Sequence, residues 1–332
     1  MENDPSNRSN FLRLLNSEQD AQVALAFEIA KGFPDLEAIV DNYHLMYRTF
    51  YSRTKEVLTA KNIQAIQEIL QKPSLRWHVY RIERLPAEVV VQLTHLTSLD
   101  LLKNKLKYLP PEIGTLSQLT FLQLRANQLT HLPDEIGQLS LLEHLYLGDN
   151  QLAQLPVTLG GLNVLRKLGL EQNCLTRIPE AIGNLTQLRE LTLQGNQLSQ
   201  LPTSIAQLTS LRLLRLDNNQ FEHLPIEIGH LSDLMLLRIS SNQLVDLPME
   251  LNQLSNLREL YAAHNAFTQV PQVIYELPHL KGLYLGGNQL KGLSEEITRL
   301  EDLQILWLTG NPISLAEQEK IREWLPFCMV YF

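Results

Sequence analysis

Cysteine, positive charge excess and long apolar runs are scarce or absent in this chain of 332 residues. The two cysteines, Cys174 and Cys328, form no closely spaced cluster, which argues against a disulfide-stapled extracellular scaffold. The formal net charge of -8 disfavours nucleic-acid binding, because that function requires a basic surface. No secretory signal opens the sequence, and no apolar stretch reaches the length of a membrane span. We therefore expect a cytoplasmic protein that neither inserts into a membrane nor binds nucleic acid.

The sequence does contain a regular repeat. The same apolar frame recurs throughout, Leu-x-x-Leu-x-Leu-x-x-Asn-x-Leu-x-x-Leu-Pro-x-x-Ile-Gly-x-Leu. Its asparagine recurs every 23 residues at ten positions, which are Asn104, Asn127, Asn150, Asn173, Asn196, Asn219, Asn242, Asn265, Asn288 and Asn311. A fixed period of this kind indicates small units that bury a continuous core only by stacking on one another.

Each part of the repeat predicts a local structure. The Leu-x-Leu run alternates between buried and exposed positions, as a short strand does, and stacking sets these strands side by side in parallel. The asparagine amide is expected to satisfy backbone groups of its own turn and of the neighbouring turn. The Leu-Pro pair favours an extended or brief 3₁₀ return segment over a full helix, because proline fixes φ and removes a donor. Ser294 replaces this proline in the ninth unit, and the sequence offers no reason for the change.

The repeat unit resembles the leucine-rich repeats of intracellular Ras-group and Scribble-like scaffold proteins and of many bacterial proteins. Over residues 75–332 the resemblance implies an α/β solenoid, a horseshoe with a concave parallel sheet of about ten strands or more. It also implies protein–protein binding by the concave sheet, in a cytoplasmic or host-directed protein. The helical leader and the ending from Trp324 to Phe332 look most like the bacterial members. Some of those carry a ubiquitin-ligase domain after the repeats, which we do not expect here because the sequence ends with a cap.

Residues 1–71 carry no repeat and are predicted to form a helical region. After about ten disordered residues, helices are expected over about 17–31, from Pro34 onward, and around 60–71. Ser17 and Asp20 form a weak capping box for the first helix, and Lys31-Gly32 supplies its stop signal. This region is interpreted as cover for the open apolar end of the array, with an independent binding site as the alternative.

Residues 72–312 are predicted to form the repeat array and residues 313–332 the C-terminal cap. The first unit fits the frame only if one extra residue is allowed, and Tyr80 replaces its asparagine. The C-terminal cap is expected to be a short helix, stopped by Pro326, followed by a last strand. In the helical region, Phe50 is expected on the apolar face of the second helix.

Strand alternation also predicts which side chains face the concave side of the sheet. In the second half of the array these positions are rich in aromatic, arginine and apolar residues. The candidate partner-binding residues are Phe121, His144, Tyr146, Leu213, Arg215, Leu236, Arg238, Tyr261, Tyr284, Ile305 and Trp307. Tyr, Trp and Arg concentrate binding energy at interfaces, so we predict a protein or peptide partner on this face. The alternative is that long side chains on stacked repeats cover one another and favour the sheet.

A further column, at one edge of the strands, is basic in five of six units: Arg166, Arg189, Arg212, Met235, Arg258 and Lys281. Glu190 and Glu259 are expected to lie close enough to pair with it. Acidic residues collect on the outer return segments instead. An acidic partner for the inner face is therefore a hypothesis.

No catalytic, cofactor or metal site is predicted. Ser241 and His264 occupy equivalent positions on adjacent strands, but no carboxylate stands behind the histidine to orient it. His131 and His223 are four units apart, too far for one metal ion. Both cysteines are interpreted as packed thiols. We thus predict a non-enzymatic scaffold, with two alternatives: a bacterial effector that modulates host ubiquitin or GTPase signalling, and an enzyme that uses the N-terminal helices.

Overall fold

The computed structural model describes residues 5–31, 33–51, 58–77 and 82–332, with side chains from residue 9 onward other than those of residues 50 and 51. The predictions that involve Gly32, the Phe50 side chain and Tyr80 lie outside the described residues. Within those ranges, none of the helices combines the length and apolar character that crossing a membrane requires.

Four helices precede the repeats: α1 (Pro5–Leu15), α2 (Asp20–Ala30), α3 (Pro34–Tyr51) and α4 (Ala60–Gln71). The prediction of about ten disordered residues is wrong from Pro5 onward, because α1 already begins there. Its first half is polar and gives no helical period. Phe11 and Leu15 are fully buried among the other helices, so tertiary packing stabilises α1.

The capping of α2 differs from the prediction. Ser17 does not cap this helix; its Oγ accepts a hydrogen bond from the Gln19 N–H at 3.1 Å, and α2 starts only at Asp20. The Asp20 carboxylate instead accepts a hydrogen bond from the Ala60 N–H at 2.7 Å. Asp20 therefore links the start of α2 to the first turn of α4, a contact between residues 40 positions apart that local sequence does not reveal.

One parallel sheet of twelve strands runs through the rest of the chain in sequential order, so the predicted solenoid of ten strands or more is confirmed. Neighbouring strands pair 23 residues apart, except the first and last pairs, which are offset by 24. The extra residue predicted in the first unit is thus confirmed. The strands are β1 (Ser74–Arg76), β2 (Ser98–Asp100), β3 (Phe121–Gln123), β4 (His144–Tyr146), β5 (Lys167–Gly169), β6 (Glu190–Thr192), β7 (Leu213–Arg215), β8 (Leu236–Arg238), β9 (Glu259–Tyr261), β10 (Gly282–Tyr284), β11 (Ile305–Trp307) and β12 (Met329–Tyr331).

The return segments form short 3₁₀ helices, as the Leu-Pro pattern predicts. A four-residue helix, α5 (Ala87–Val90), takes this place in the first unit. The 3₁₀ helices are Pro111–Thr115, Asp134–Gln138, Val157–Gly161, Glu180–Asn184, Thr203–Gln207, Ile226–His230, Met249–Gln253, Gln272–Glu276 and Glu295–Arg299. Proline precedes the first eight, and its φ, between −53° and −73°, suits the entry into the turn.

Ser294, the exception in the proline series, makes two hydrogen bonds that proline would not. Its Oγ accepts from the Glu296 N–H at 3.3 Å and so caps the last 3₁₀ helix. Its own N–H donates to the Tyr275 hydroxyl at 3.4 Å. The serine is therefore explained by local hydrogen bonding, because proline lacks both groups.

The asparagine ladder has the predicted geometry. Asn196 is typical: its Nδ2 donates to the carbonyl oxygens of Leu170 and Leu193, both at 2.9 Å, and its Oδ1 accepts from the Leu175 N–H at 3.0 Å. Each of these two carbonyls also accepts a hydrogen bond from an adjacent ladder asparagine. The amides thus tie each repeat to the ones before and after it.

A single leucine core extends through all the repeats and into both ends. Met46 of α3 and Ile66 of α4 belong to the same buried cluster as the first strand, so these helices cover the start of the array. At the other end, α6 (Leu315–Trp324) begins after Ser314, whose Oγ accepts from the Glu317 N–H, and ends before Pro326. The helix and strand predicted for the C-terminal cap are confirmed.

Candidate interaction surface

The inner face of the sheet is the surface opposite the 3₁₀ helices. Strands β1 to β11 each bury a central leucine, and the residue on either side lies on this face, half-buried in most strands, as in β8, where Leu237 is buried between Leu236 and Arg238. We call these flanking sites the first and second inner positions. A third inner position lies two residues after the second. All eleven predicted binding residues occupy first or second inner positions.

Aromatic and arginine side chains stack along the second inner position in the C-terminal half. The Arg238 guanidinium carbon lies 4.4 Å from the centre of the Tyr261 ring. The Tyr261 and Tyr284 rings are parallel, with centres 4.0 Å apart, and the Trp307 and Tyr331 rings stack at 4.6 Å. These contacts hold the side chains in place before any partner arrives.

Two glycines on β10 and just beyond it determine how the rings lie. A Cβ added to Gly282 would stand 3.0 Å from the Tyr284 ring, and one added to Gly286 would stand 3.0 Å from the Trp307 indole. Because neither glycine has a side chain, the Tyr284 ring lies over the start of β10 and the Trp307 ring lies beyond its end. The two stacks therefore lean toward opposite ends of the strands.

Tyr261 also makes a strong polar contact. Its hydroxyl donates to Glu259 Oε2 at 2.7 Å. Burial, followed by this hydrogen bond, raises the pKa of Tyr261 far above its ordinary value. The hydroxyl therefore stays protonated and keeps donating at any physiological pH.

Asp217, which sequence reasoning missed, organises the two central arginines. It occupies a third inner position and is only 4% exposed. Its Oδ2 lies 3.6 Å from Arg215 Nε and 3.3 Å from Arg238 Nε, and its Oδ1 accepts from the Ser240 N–H at 3.3 Å. One carboxylate thus serves two guanidinium groups. Reading the third inner position as a column would have revealed Asp217.

The N-terminal half of the inner face contains a second aromatic cluster. The rings of Phe121, His144 and Tyr146 lie with their centres 5.7–6.4 Å apart. Burial, followed by the nearby positive charge of Lys167, lowers the pKa of His144. The imidazole is therefore neutral near pH 7, and this cluster is mainly apolar.

Glu171 resembles Asp217 in its placement on the third inner position and was also missed. Arg125 Nε lies 3.3 Å from its Oε1, and Thr192 donates to its Oε2 at 2.9 Å. A Cβ at Gly148 would lie 2.3 Å from Glu171 Oε1, so the glycine leaves room for this carboxylate. The two buried acids, Glu171 and Asp217, thus lie against three of the inner-face cations, Arg125, Arg215 and Arg238.

Several details of the predicted surface need correction. Leu213, Leu236 and Ile305, at first inner positions, are half-buried. Glu190 pairs with Lys167 at 2.7 Å, and not with the basic edge column. Glu259 instead accepts the Tyr261 hydroxyl hydrogen bond. An acidic partner for the inner face stays a hypothesis.

The basic edge column follows its own pattern. Arg166 Nε lies 3.8 Å from a Glu143 carboxylate oxygen, and Arg258 Nη1 donates to the His279 carbonyl at 3.3 Å. Both contacts lie along the edge of the array. Such partly exposed contacts contribute little stability, so Arg166 and Arg258 are solvated charges with local partners.

The residues weighed for catalysis do not assemble into a site. Ser241 and His264 lie in the turns after the strands, with positive φ of 55° and 54°, so their predicted placement on strands is wrong. Among the described residues, no hydrogen bond joins them. Cys174 is exposed and not packed as predicted, whereas Cys328 is half-buried and burial raises its pKa to about 11. A buried thiol of high pKa is a poor nucleophile.

Comparison with known proteins agrees with the fold. The family model described as leucine-rich repeat region matches residues 112–199, and the model described as leucine rich repeat matches residues 255–313. The chain is a leucine-rich repeat protein. No curated protein matches its sequence. Leucine-rich repeats are typically non-enzymatic modules that mediate protein–protein interaction.

Solved leucine-rich repeat structures from plants and bacteria are similar to the chain. The Arabidopsis receptor kinase HAESA, in complex with the peptide hormone IDA and the co-receptor SERK1, is 29% identical over 72% of this chain, with a TM-score of 0.58. The plant peptide hormone receptor RGFR1, in complex with RGF2, is 28% identical over 75% of this chain, with a TM-score of 0.57. The chain spans only 46% and 45% of these receptor chains. An internalin of Listeria monocytogenes (inlF) shares the fold at 21% identity, over 88% of this chain and 94% of its own, with a TM-score of 0.50.

Proposed function

We propose that this leucine-rich repeat protein is a non-enzymatic interaction module that holds a protein or peptide partner on the inner face of β7 to β12. The observation that carries the proposal is the pair of prearranged stacks, Arg238 with Tyr261 and Tyr284, and Trp307 with Tyr331. Trp307 and Tyr331 remain 40% and 41% exposed despite their stacking. Stacking on each other therefore buries only part of these two side chains, and the rest is accessible to a partner.

Stacked aromatic and arginine side chains suit binding for an energetic reason. A partner gains large contact area on side chains whose conformations are already fixed, so little conformational entropy is lost on association. The HAESA and RGFR1 complexes, in which proteins of the same fold hold peptide hormones, support a peptide or protein as the class of ligand.

We further propose that the protein works in a reducing, cytoplasmic compartment. Both cysteines are free thiols, and Cys174 is exposed, where an oxidising environment would favour its modification. Cell fractionation with a tagged full-length chain tests this proposal. Recovery in an extracellular fraction would contradict it.

Affinity capture tests the binding proposal. The wild-type chain is compared with an Arg238→Glu/Tyr261→Ala/Trp307→Ala variant as bait, and captured proteins are identified by mass spectrometry. We expect at least one partner to be lost from the variant. If the variant still captures every protein that the wild type captures, the inner face is not the binding surface.

A matched control uses apolar side chains on the outer face. Val157, Ile226 and Met249 are 70%, 53% and 46% exposed, and each begins a 3₁₀ helix. Changing all three to serine removes exposed apolar surface without touching the inner face. This variant should capture the same partners as the wild type.

A further inference from the structure

The charges on the inner face of β3 to β12 do not cancel uniformly. Eight charged residues occupy the three inner positions: Arg125, Lys167, Glu171, Glu190, Arg215, Asp217, Arg238 and Glu259. Arg125 lies against Glu171 and also binds Asp149 at 2.7 Å. Lys167 pairs with Glu190 at 2.7 Å. These four inner-face residues are therefore satisfied within the protein.

The remaining four residues leave two charges uncompensated. Arg215 and Arg238 share the single carboxylate of Asp217 through their Nε atoms, so one positive charge remains there. Glu259 has no cation within 4.0 Å among the described residues, and the neutral Tyr261 hydroxyl donates a hydrogen bond to its carboxylate. The inner face thus presents a positive site on β7 and β8 next to a negative site on β9.

The register fixes the distance between these two sites. Arg238 pairs with Tyr261 across β8 and β9, and Glu259 lies two residues before Tyr261. One strand spacing and two residues along a strand place the backbones of Arg238 and Glu259 about 8 Å apart. In an extended peptide, side chains two residues apart lie on the same face, about 6.6 Å from each other. The long arginine and glutamate side chains of the inner face can each reach one member of such a pair.

We propose that the partner binds through an extended segment that carries one carboxylate and one cationic side chain two residues apart. The carboxylate lies on Arg215 and Arg238, and the ammonium or guanidinium group lies on Glu259. The adjacent Tyr284 and Trp307 stacks supply apolar contact beyond the charge pair. This inference rests on the proposed function and adds the chemistry of the segment that is recognised.

Selection from a displayed library of random 12-residue peptides tests the proposal on the full chain. Three proteins are used in parallel: wild type, Arg215→Gln and Glu259→Gln. Arg215→Gln leaves Arg238 to neutralise Asp217, so it removes the excess positive charge without isolating a buried acid. It also leaves the Arg238, Tyr261 and Tyr284 stack intact.

The wild type should enrich peptides with an acidic and a basic residue two positions apart. Selection on Arg215→Gln should lose the acidic preference alone, and selection on Glu259→Gln should lose the basic preference alone. A wild-type-selected peptide should bind each variant about fivefold more weakly, as expected for one partly exposed ion pair. The control Lys167→Gln/Glu190→Gln, which removes an internally satisfied pair, should bind the peptide like the wild type.

Enrichment of the same sequences by all three proteins, or of no sequence at all, overturns the proposal. Binding of the selected peptides to a Tyr261→Ala/Trp307→Ala variant tests the proposed function independently. If selected peptides lack the charge pair but lose binding to this variant, the inner face still binds and only the charge inference fails. If they bind this variant as well as the wild type, the proposed binding surface also fails.

Discussion

Replacing Asn196 with leucine removes one step of the asparagine ladder in the middle of the array. Three hydrogen bonds disappear, two to the carbonyls of Leu170 and Leu193 and one from the Leu175 N–H. The two carbonyls each retain a hydrogen bond from an adjacent ladder asparagine. The Leu175 N–H retains no acceptor, because the leucine side chain that replaces the amide cannot accept a hydrogen bond.

The expected cost follows from that difference. One buried backbone N–H left without an acceptor costs roughly 1–3 kcal/mol, and the two carbonyls that keep one donor add little. The free energy of unfolding should fall by this amount, measured by urea denaturation followed through circular dichroism. The urea slope should be reported as well, since a long array can lose cooperativity when one interface weakens.

Asn163→Leu is the matched control for this measurement. Asn163 is exposed, and within the described residues its side chain makes no hydrogen bond. The same substitution there should change stability by no more than about 0.5 kcal/mol. If the Asn196 and Asn163 variants unfold at the same urea concentration, the ladder does not stabilise the fold as described.

Three further outcomes are expected. Gly137→Ala should destabilise the chain by about 1–3 kcal/mol in thermal or urea denaturation, because a Cβ there would lie 2.1 Å from a backbone oxygen of the next 3₁₀ helix; unchanged stability would contradict this packing. Ser294→Pro should lower the melting temperature although it restores the repeat consensus, since the hydrogen bond to Tyr275 is lost; a rise would contradict the role given to the serine. A thiol reagent at pH 8 should modify Cys174 rapidly and Cys328 only slowly, with the Cys328 rate increasing as pH rises toward its pKa of about 11; equal rates would contradict the assigned burial.

Most of the fold could be predicted from the sequence because the repeat imposes one local structure many times. The period placed strands β2 to β11, the ladder and the 3₁₀ return segments. The exceptions occur where the period gives no information. Helix α1 has no repeat and is stabilised by distant contacts. The offset of 24 between β11 and β12 places Tyr331 beside Trp307, whereas counting 23 residues points to Val330.

The sequence predicts which residues lie on the candidate surface, but not the contacts between their side chains. Strand alternation placed Arg238 and Tyr261 on the inner face. It could not reveal that Asp217 lies against two arginines, because both contacts join different columns and the one with Arg238 also joins neighbouring repeats. Nor could it reveal how the Tyr284 and Trp307 rings lean, which depends on Gly282 and Gly286, two residues before and after Tyr284. Side-chain packing, not strand order, determines these contacts.

The most direct test of the account is site-specific photo-crosslinking to a captured partner. A photoreactive phenylalanine analogue replaces Tyr284 on the inner face or, as the control, Ile226 on the outer face, where the side chain is 53% exposed. The account predicts a crosslinked product from position 284 and none from position 226. Crosslinking from position 226 alone would contradict the claim that the inner face of the sheet holds the partner.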